Sequence, residues 1–270
     1  MSDAPIGVFD SGVGGLTVLG ALMAELPRER FIYLGDTARL PYGTKSRASV
    51  ARYAAQSAEA LMEYGPKCLV IACNTAAASS LPAIRERLHG VPVIGVIEPG
   101  AQAACEASLS GHIAVIATEG TVRGRAYEEA ILRRRSGTRV TTLATQLFVA
   151  LAEEGVCSGP IAQAVAEHYL APLFGAGTDS PDTLVLGCTH FPMLTSAIRA
   201  VIPVPVSIVD SAATTAQELR QRLDSAGTAS SSARGGVRFL ATDAAERFAR
   251  VGSRFLRRAI APEDVEIIDL

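Results

Sequence analysis

The sequence predicts an α/β protein made of two similar domains, each with a mostly parallel sheet flanked by helices. Three observations support this fold class. Short apolar runs without polar alternation recur along the 270-residue chain, as is typical of strands buried on both faces. Alanine-rich segments with helical periodicity separate these runs, and that alternation favours parallel sheets. The order of runs and helices also repeats in the second half of the chain.

The composition fits this fold class and argues against several functions. Hydrophobic residues make up 49% of the chain and charged residues 19%, below the usual share of roughly 25%. A net charge of −2 leaves no basic excess to neutralise phosphates, so we expect no nucleic-acid partner. No apolar stretch reaches the roughly 18 residues that a bilayer requires, so we expect no membrane span. Five cysteines without close CxxC pairs or a visible signal peptide predict reduced thiols in the cytoplasm.

The apolar runs place polar residues at the ends of predicted strands. In chain order, strands are predicted over residues 6–9, 31–34, 69–72, 91–97, 113–117, 184–187, 204–209 and 237–241. Helices are predicted over residues 46–64, 76–88 and 159–174, with Thr75 as the N-cap of the second. In open α/β sheets, ligands bind beyond the carboxyl ends of the strands. The polar residues that follow the strands are therefore candidates for a site.

An internal repeat divides the chain. The segment LVIAC at 69–73 matches LVLGC at 184–188, and each is followed by Ala-Ile-Arg, then Val-Pro-Val, then another apolar run. Ser11 in the first half corresponds to Thr118 in the second. We therefore expect a first domain of residues 1–97 plus 209–270 and a second of residues 98–208. A pseudo-twofold axis would relate them, with the active site in the cleft between.

Two cysteines occupy equivalent positions in the repeat. Cys73 and Cys188 each follow a four-residue apolar run, and a helix start near each would favour the thiolate and lower the thiol pKa. An isolated cysteine is most often an inert core residue, but the paired placement favours a functional role. Two thiols on opposite sides of one ligand could remove a proton from one face of a carbon and deliver another to the opposite face. That chemistry is racemisation or epimerisation.

Four motifs carry a resemblance to a known family. They are DSGVGGL at 10–16, GDTARLPYG at 35–43, ACNTA at 72–76 and GCTHFP at 187–192. Together they resemble the glutamate racemases of the cofactor-independent aspartate/glutamate racemase superfamily, from residue 6 to about residue 254. The resemblance implies interconversion of L- and D-glutamate for peptidoglycan, with glutamate as the small-molecule partner and no cofactor or metal. Family members differ in oligomeric state, which leaves a homodimer as an open alternative.

The resemblance also implies roles for individual residues. It matches Cys73 and Cys188 to the two catalytic acid/base residues, with Cys73 acting on the D-isomer and Cys188 on the L-isomer. Asp10 and His190 match partners of the two thiols. Glu153 matches a further acidic residue, with Glu154 as the alternative because the stretch 145–154 lacks a cysteine and two prolines of the family pattern. The implied substrate contacts are Asp10, Ser11, Tyr42, Gly43, Asn74, Thr75, Thr189 and His190. We add Thr118 and Thr121 as hydroxyl donors from the second half.

Other functions are weighed against this one. A related racemase acting on aspartate or a hydantoin would use the same two thiols. A Cys-His hydrolase would use one thiol with His190, and a small-acid sensor or protein-binding module would exchange no Cα proton. A pyridoxal phosphate enzyme needs a lysine for its Schiff base, and neither Lys45 nor Lys67 ends a predicted strand. A zinc site lacks a second spaced pair of ligands.

Overall fold

Two parallel sheets organise the molecule. The computed structural model describes residues 3–175, 179–233 and 235–270. The strands are β1 (Ile6–Asp10), β2 (Arg30–Gly35), β3 (Cys68–Ile71), β4 (Val93–Gly95), β5 (His112–Ala117), β6 (Arg139–Ala144), β7 (Thr183–Gly187), β8 (Ser207–Asp210), β9 (Gly236–Ala241) and β10 (Val265–Ile267). Within these ranges the first sheet has the order β10-β9-β2-β1-β3-β4 and the second β6-β5-β7-β8. Every strand pair found there is parallel.

Helices connect the strands. They are α1 (Leu16–Glu25), α2 (Arg47–Met62), α3 (Asn74–Arg87), α4 (Ile97–Ala107), α5 (Glu119–Arg123), α6 (Ala126–Arg134), α7 (Leu147–Glu154), α8 (Gly159–Leu170), α9 (Thr195–Arg199), α10 (Ser211–Ala226) and α11 (Ala245–Leu256). None of the helices in the described ranges is long and apolar enough to cross a membrane. The predicted α/β fold with two parallel sheets is confirmed.

The two sheets share an arrangement that matches the sequence repeat. The order β2-β1-β3-β4 in the first sheet corresponds to β6-β5-β7-β8 in the second. The strands at the centre, β1 and β5, are buried along their whole length, because neighbouring strands and helices cover both their edges and their faces. Burying each large aliphatic side chain there contributes about 1.5–3 kcal/mol. The domain bounds at residues 97 and 209 stay a prediction. Consistent with them, α4 packs on α6, β7 and β8.

The local structure around both cysteines differs from the prediction. The helix after β3 begins at Asn74, and its N-cap is Cys73, whose sulfur accepts a hydrogen bond from the Ala76 amide at 3.4 Å. The prediction of Thr75 as the N-cap is therefore wrong. After Cys188 the chain forms a short 3-10 helix (Phe191–Leu194) before α9. Cys188 thus does not lie at the start of an α-helix.

Other boundaries shift by a few residues. The predicted strand 91–97 shortens to β4, because Val96 already has helical backbone angles and Ile97 begins α4. The predicted helix 159–174 ends at Leu170. The helix predicted over 46–64 is observed as α2, and its N-cap Ser46 accepts from the Ser49 amide at 3.2 Å. The ends of β1, β2, β3, β5 and β7 lie within one residue of their predicted positions, so the candidate site stays where it was predicted.

Candidate active site

A cavity of about 40 Å³ lies where the carboxyl ends of strands from the two sheets face each other. The first sheet contributes the residues that follow β1, β2 and β3, and the second contributes those that follow β5, β6 and β7. The lining residues are Ser11, Gly12, Val13, Leu40, Pro41, Tyr42, Gly43, Cys73, Asn74, Thr75, Thr118, Gln146, Val149, Glu153, Cys188, Thr189 and His190. Both cysteines line this one cavity. All the predicted site residues line the cavity except Asp10 and Thr121, which lie behind its wall. The catalytic and binding roles of these residues stay predictions.

Cys73 lies in an environment that favours the neutral thiol. Its sulfur is 3.4 Å from the Ser11 hydroxyl, and the buried Asp10 carboxyl ends the neighbouring strand. Burial, together with the Asp10 charge, raises the pKa of the Cys73 thiol to about 12, against the opposing effects of Ser11 and the Ala76 amide. The expectation that the helix start lowers this pKa is therefore wrong, because the sulfur is buried beside an acid.

Asp10 supports the wall of the cavity from behind. It is 1% exposed, and its Oδ2 accepts a hydrogen bond from the Gly12 amide at 2.9 Å. Its Oδ1 has no hydrogen-bond partner in the described part of the chain. Burial raises the pKa of Asp10, although the His190 charge and the amides of the β1–α1 loop act against it. Asp10 is thus a buried acid with one oxygen available to a proton donor.

Cys188 lies at the end of a chain of polar contacts. Its sulfur is 3.8 Å from His190 Nδ1, and His190 Nε2 is 3.1 Å from Glu153 Oε1. The other carboxylate oxygen of Glu153 accepts from Arg247 at 2.9 Å. The neighbouring Glu154 is exposed, so the structure brings Glu153, and not Glu154, to the site.

The contacts along this chain favour the charged form of His190. Burial lowers the pKa of His190, but its contacts with Cys188 and Glu153 outweigh burial and raise it to about 10. Burial acts on Glu153 in the opposite direction and raises its pKa. The contacts of Glu153 with His190 and Arg247 more than offset burial, so the pKa of Glu153 is lowered overall. Near neutral pH an imidazolium held by a carboxylate therefore faces the Cys188 sulfur. The two cysteines thus have opposite surroundings.

Three threonine hydroxyls join the two sides of the cavity. Thr75, at the start of α3, lies 2.9 Å from Thr118 and 3.2 Å from Thr121 between hydroxyl oxygens, and Thr118 and Thr121 are 3.0 Å apart. Thr121 therefore contacts the two threonines that line the cavity and does not itself reach it. A hydroxyl can rotate to donate or accept, so the cluster can supply donors to a carboxylate.

Tyr42 lines the cavity, and its hydroxyl is bound to a neighbouring carboxylate. The hydroxyl hydrogen-bonds the buried Asp36 carboxylate, and burial followed by the Asp36 charge raises the pKa of this phenol. Arg39 also pairs with Asp36, at 2.7 Å. Asp36 and Arg39 belong to the motif at 35–43, and their contacts show that this motif fixes the loop that carries Tyr42 and Gly43.

Sequence reasoning missed the cavity residues at the start of α7. Gln146 and Val149 line the cavity together with Glu153, and this spacing places all three on one face of the helix. The spacing could have revealed them, but this stretch departs from the family pattern. Gln146 Oε1 is buried and has no hydrogen-bond partner among the described residues.

The site carries free thiols. All five cysteines lie in the described residues and none forms a disulfide. Over residues 3–175, 179–233 and 235–270, no group of three or more His, Cys, Asp or Glu side chains is arranged to hold a metal ion.

Two α/β units thus each present a thiol to one cavity lined by polar side chains. Comparison with known proteins identifies the class. The chain belongs to the Asp/Glu/hydantoin racemase family, whose model matches residues 18–219. It is therefore a racemase, an isomerase, and the resemblance found in the motifs is confirmed.

Close relatives cover almost the whole chain. A glutamate racemase from Geobacter metallireducens is 47% identical over 252 residues, covering 93% of this chain and 92% of the relative. Among solved structures, a glutamate racemase isoform from Bacillus anthracis has a TM-score of 0.94 at 37% identity, covering 100% of this chain and 99% of that one. A glutamate racemase from Francisella tularensis in complex with D-glutamate has a TM-score of 0.91 at 35% identity, covering 100% of this chain and 98% of that one.

Glu153→Gln is expected to lower kcat/KM by about 10- to 100-fold and to lower the pKa of His190. The reason is that the imidazolium loses the carboxylate that stabilises its charge, so the proton leaves at lower pH. The measurement is racemase kinetics together with an NMR titration of the His190 ring. Glu154→Gln is the matched control, since Glu154 is exposed, and it should change neither quantity. Equal effects of the two substitutions would contradict the assignment.

Proposed function

We propose that this protein interconverts L-glutamate and D-glutamate without a cofactor, by a two-base mechanism that uses Cys73 and Cys188. The observation that carries the proposal is that both thiols line one cavity, with the Asp10 carboxyl near the Cys73 sulfur and the His190 imidazole 3.8 Å from the Cys188 sulfur. The names of relatives that are 40–47% identical support glutamate as the substrate. Supply of D-glutamate for peptidoglycan, in the cytoplasm, completes the proposal, and the free thiols fit a reducing compartment.

The resting arrangement suits reaction from the L-isomer. The Cys188 thiolate, next to the imidazolium of His190, removes the Cα proton from one face. The Cys73 thiol then donates its proton to the opposite face of the carbanion, and D-glutamate forms. The enzyme is left with a Cys188 thiol and a Cys73 thiolate, which is the state that acts on D-glutamate. Asp10, beside Cys73, can assist the proton movements on that side.

The carbanion requires electrostatic stabilisation because it lies next to a carboxylate. Fixed donors contribute most when they point to the atoms where charge develops, and one donor accounts for about 10²–10³ in rate. Asn74 and Thr75, at the start of α3, and Thr189 are the proposed donors to the α-carboxylate. The other proposed substrate contacts are Ser11, Tyr42, Gly43, Thr118 with Thr121 behind it, and His190.

Incubation of L-glutamate with the enzyme in deuterated buffer tests this function. The α-proton signal in the NMR spectrum should disappear while the optical rotation falls to zero. L-aspartate, run in parallel, separates glutamate racemase from the aspartate alternative. Exchange without loss of rotation would refute racemisation, and the absence of both would leave the sensor or hydrolase alternatives.

A further inference from the structure

Tyr127 connects the two segments that carry the cysteines. It lies at the start of α6, is 2% exposed and does not line the cavity. Its hydroxyl donates a hydrogen bond of 2.8 Å to Asn74 Oδ1, and Asn74 directly follows Cys73. Its ring packs on Gly187, which directly precedes Cys188, where a Cβ would lie 3.1 Å from Tyr127 Cε2. One buried side chain therefore contacts the neighbours of both thiols.

The ring of Tyr127 is held in a slot between two glycines. On its other edge, a Cβ at Gly100 would lie 3.3 Å from both Tyr127 Cε1 and its hydroxyl oxygen. A side chain at either position would crowd the ring, so the two glycines leave the space that the ring occupies. Burial raises the pKa of the Tyr127 hydroxyl, which therefore stays protonated as a donor. The hydroxyl is thus a donor directed at Asn74, with the Ser211 side chain as a second polar neighbour.

One of the two polar atoms in the Asn74 side chain has a hydrogen-bond partner among the described residues, and the other has none. Its Oδ1 accepts from Tyr127, whereas its Nδ2 is buried and has no hydrogen-bond partner in the described part of the chain. A buried donor without a partner costs about 1–3 kcal/mol. Asn74 lines the cavity, so a ligand atom there can accept from Nδ2.

We propose that Tyr127 is a positioning residue, whose hydroxyl orients the Asn74 carboxamide so that Nδ2 donates to the α-carboxylate of the substrate. This inference rests on the proposed function. The Cys73 sulfur must reach Cα in that reaction, and the α-carboxylate is bonded to Cα. The α-carboxylate must therefore lie close to Asn74, the residue that follows Cys73. Without the tyrosine hydroxyl, the Asn74 carboxamide can rotate so that Oδ1 and Nδ2 exchange places. Its oxygen would then repel the α-carboxylate of the substrate.

Tyr127→Phe keeps the ring and removes only the hydroxyl. We expect kcat/KM for glutamate to fall about 10-fold. Most of the loss should be in kcat, because the negative charge on the α-carboxylate grows in the transition state. Tyr64→Phe is the matched control: Tyr64 follows α2, does not line the cavity, and its ring packs against the Arg238 guanidinium. It should leave kcat and KM within twofold of the wild type.

A double-mutant cycle separates positioning from a merely structural role. In an Asn74→Ala background, the added Tyr127→Phe change should alter kcat/KM less than twofold, because the group that it orients is gone. A full 10-fold loss in that background, or unchanged kcat/KM for Tyr127→Phe alone, would overturn the inference.

The side-chain amide resonances of Asn74 provide a readout independent of turnover. In the wild type they should form one sharp pair, and Tyr127→Phe should double or broaden them. Unchanged resonances would overturn the inference even if the wild type did not racemise glutamate, whereas the deuterium experiment alone decides the proposed function.

Discussion

Replacing either Cys73 or Cys188 with alanine is expected to abolish inversion of glutamate, with kcat/KM lowered by at least about 10³-fold. Each thiol acts as the base in one direction of the reaction and as the acid in the other. A positioned acid or base of this kind raises the rate by about 10²–10⁴-fold. Inversion needs both groups, because one thiol reaches only one face of Cα. The measurement is the decay of optical rotation from each enantiomer.

The single-thiol variants should still differ in proton exchange. Cys73→Ala retains the Cys188 thiolate with its His190 partner, so it should slowly exchange the α-proton of L-glutamate without inverting it. Cys188→Ala should do the same only with D-glutamate. Cys105→Ala, at a half-buried thiol on α4, is the control and should behave as the wild type. Inversion at the wild-type rate by either active-site variant would refute the paired-base mechanism.

The unequal surroundings of the thiols cannot favour one product. Two enantiomers have equal free energies in water, so kcat/KM must be the same in both directions. The asymmetry between a neutral Cys73 and a Cys188 faced by an imidazolium must therefore appear in kcat and KM separately, with compensating changes. Full progress curves from both enantiomers would show this.

Gly14→Ala is expected to lower kcat/KM by about 10²-fold. A Cβ at Gly14 would lie 2.3 Å from His190 Cε1 and 2.4 Å from both His190 Nδ1 and Thr189 Oγ1. Gly14 belongs to the loop after β1, whereas His190 follows β7, so the methyl group would push the two sides of the cavity apart. A displacement of about 1 Å at a catalytic group can cost about 10² in rate.

Gly20→Ala is the matched control for this substitution. Gly20 lies inside α1, and the nearest atom to its Cβ would be Leu256 Cδ1 at 3.8 Å, an ordinary contact. Alanine there should keep kcat/KM unchanged and raise the free energy of unfolding by up to about 1 kcal/mol, because alanine has the higher helix propensity. Urea unfolding and steady-state kinetics measure both effects. Wild-type kinetics for Gly14→Ala would show that this loop does not hold His190.

The sequence was sufficient to predict the fold where strands are buried on both faces. β1, β3, β5 and β7 are continuous apolar runs, and the repeat made their equivalence visible. It was not sufficient for β6, because this edge strand is partly exposed and contains two threonines, so it lacks the apolar run. The strand β10 was missed for a similar reason, since two of its three residues are exposed.

The candidate site, like the fold, could be predicted from the sequence only in part. The sequence placed both cysteines at strand ends, and the cavity contains both. It could not reveal that burial beside Asp10 makes Cys73 a weak acid, because this effect depends on contacts between strands. Tyr127 and Arg247 were missed because their contacts with Asn74 and Glu153 join residues 53 and 94 positions apart.

The size of the cavity has a consequence for the rate of turnover. At about 10–15 Å³ per water molecule, its 40 Å³ holds roughly three waters, less than an amino acid with two carboxylates needs. The walls must therefore separate to admit glutamate and again to release it. In the described part of the chain, the connections from β4 to β5 and from β8 to β9 link the two sheets, and we expect the walls to turn about these two crossings. Each catalytic cycle then contains an opening step, and its frequency sets an upper limit on kcat however fast the proton transfers are.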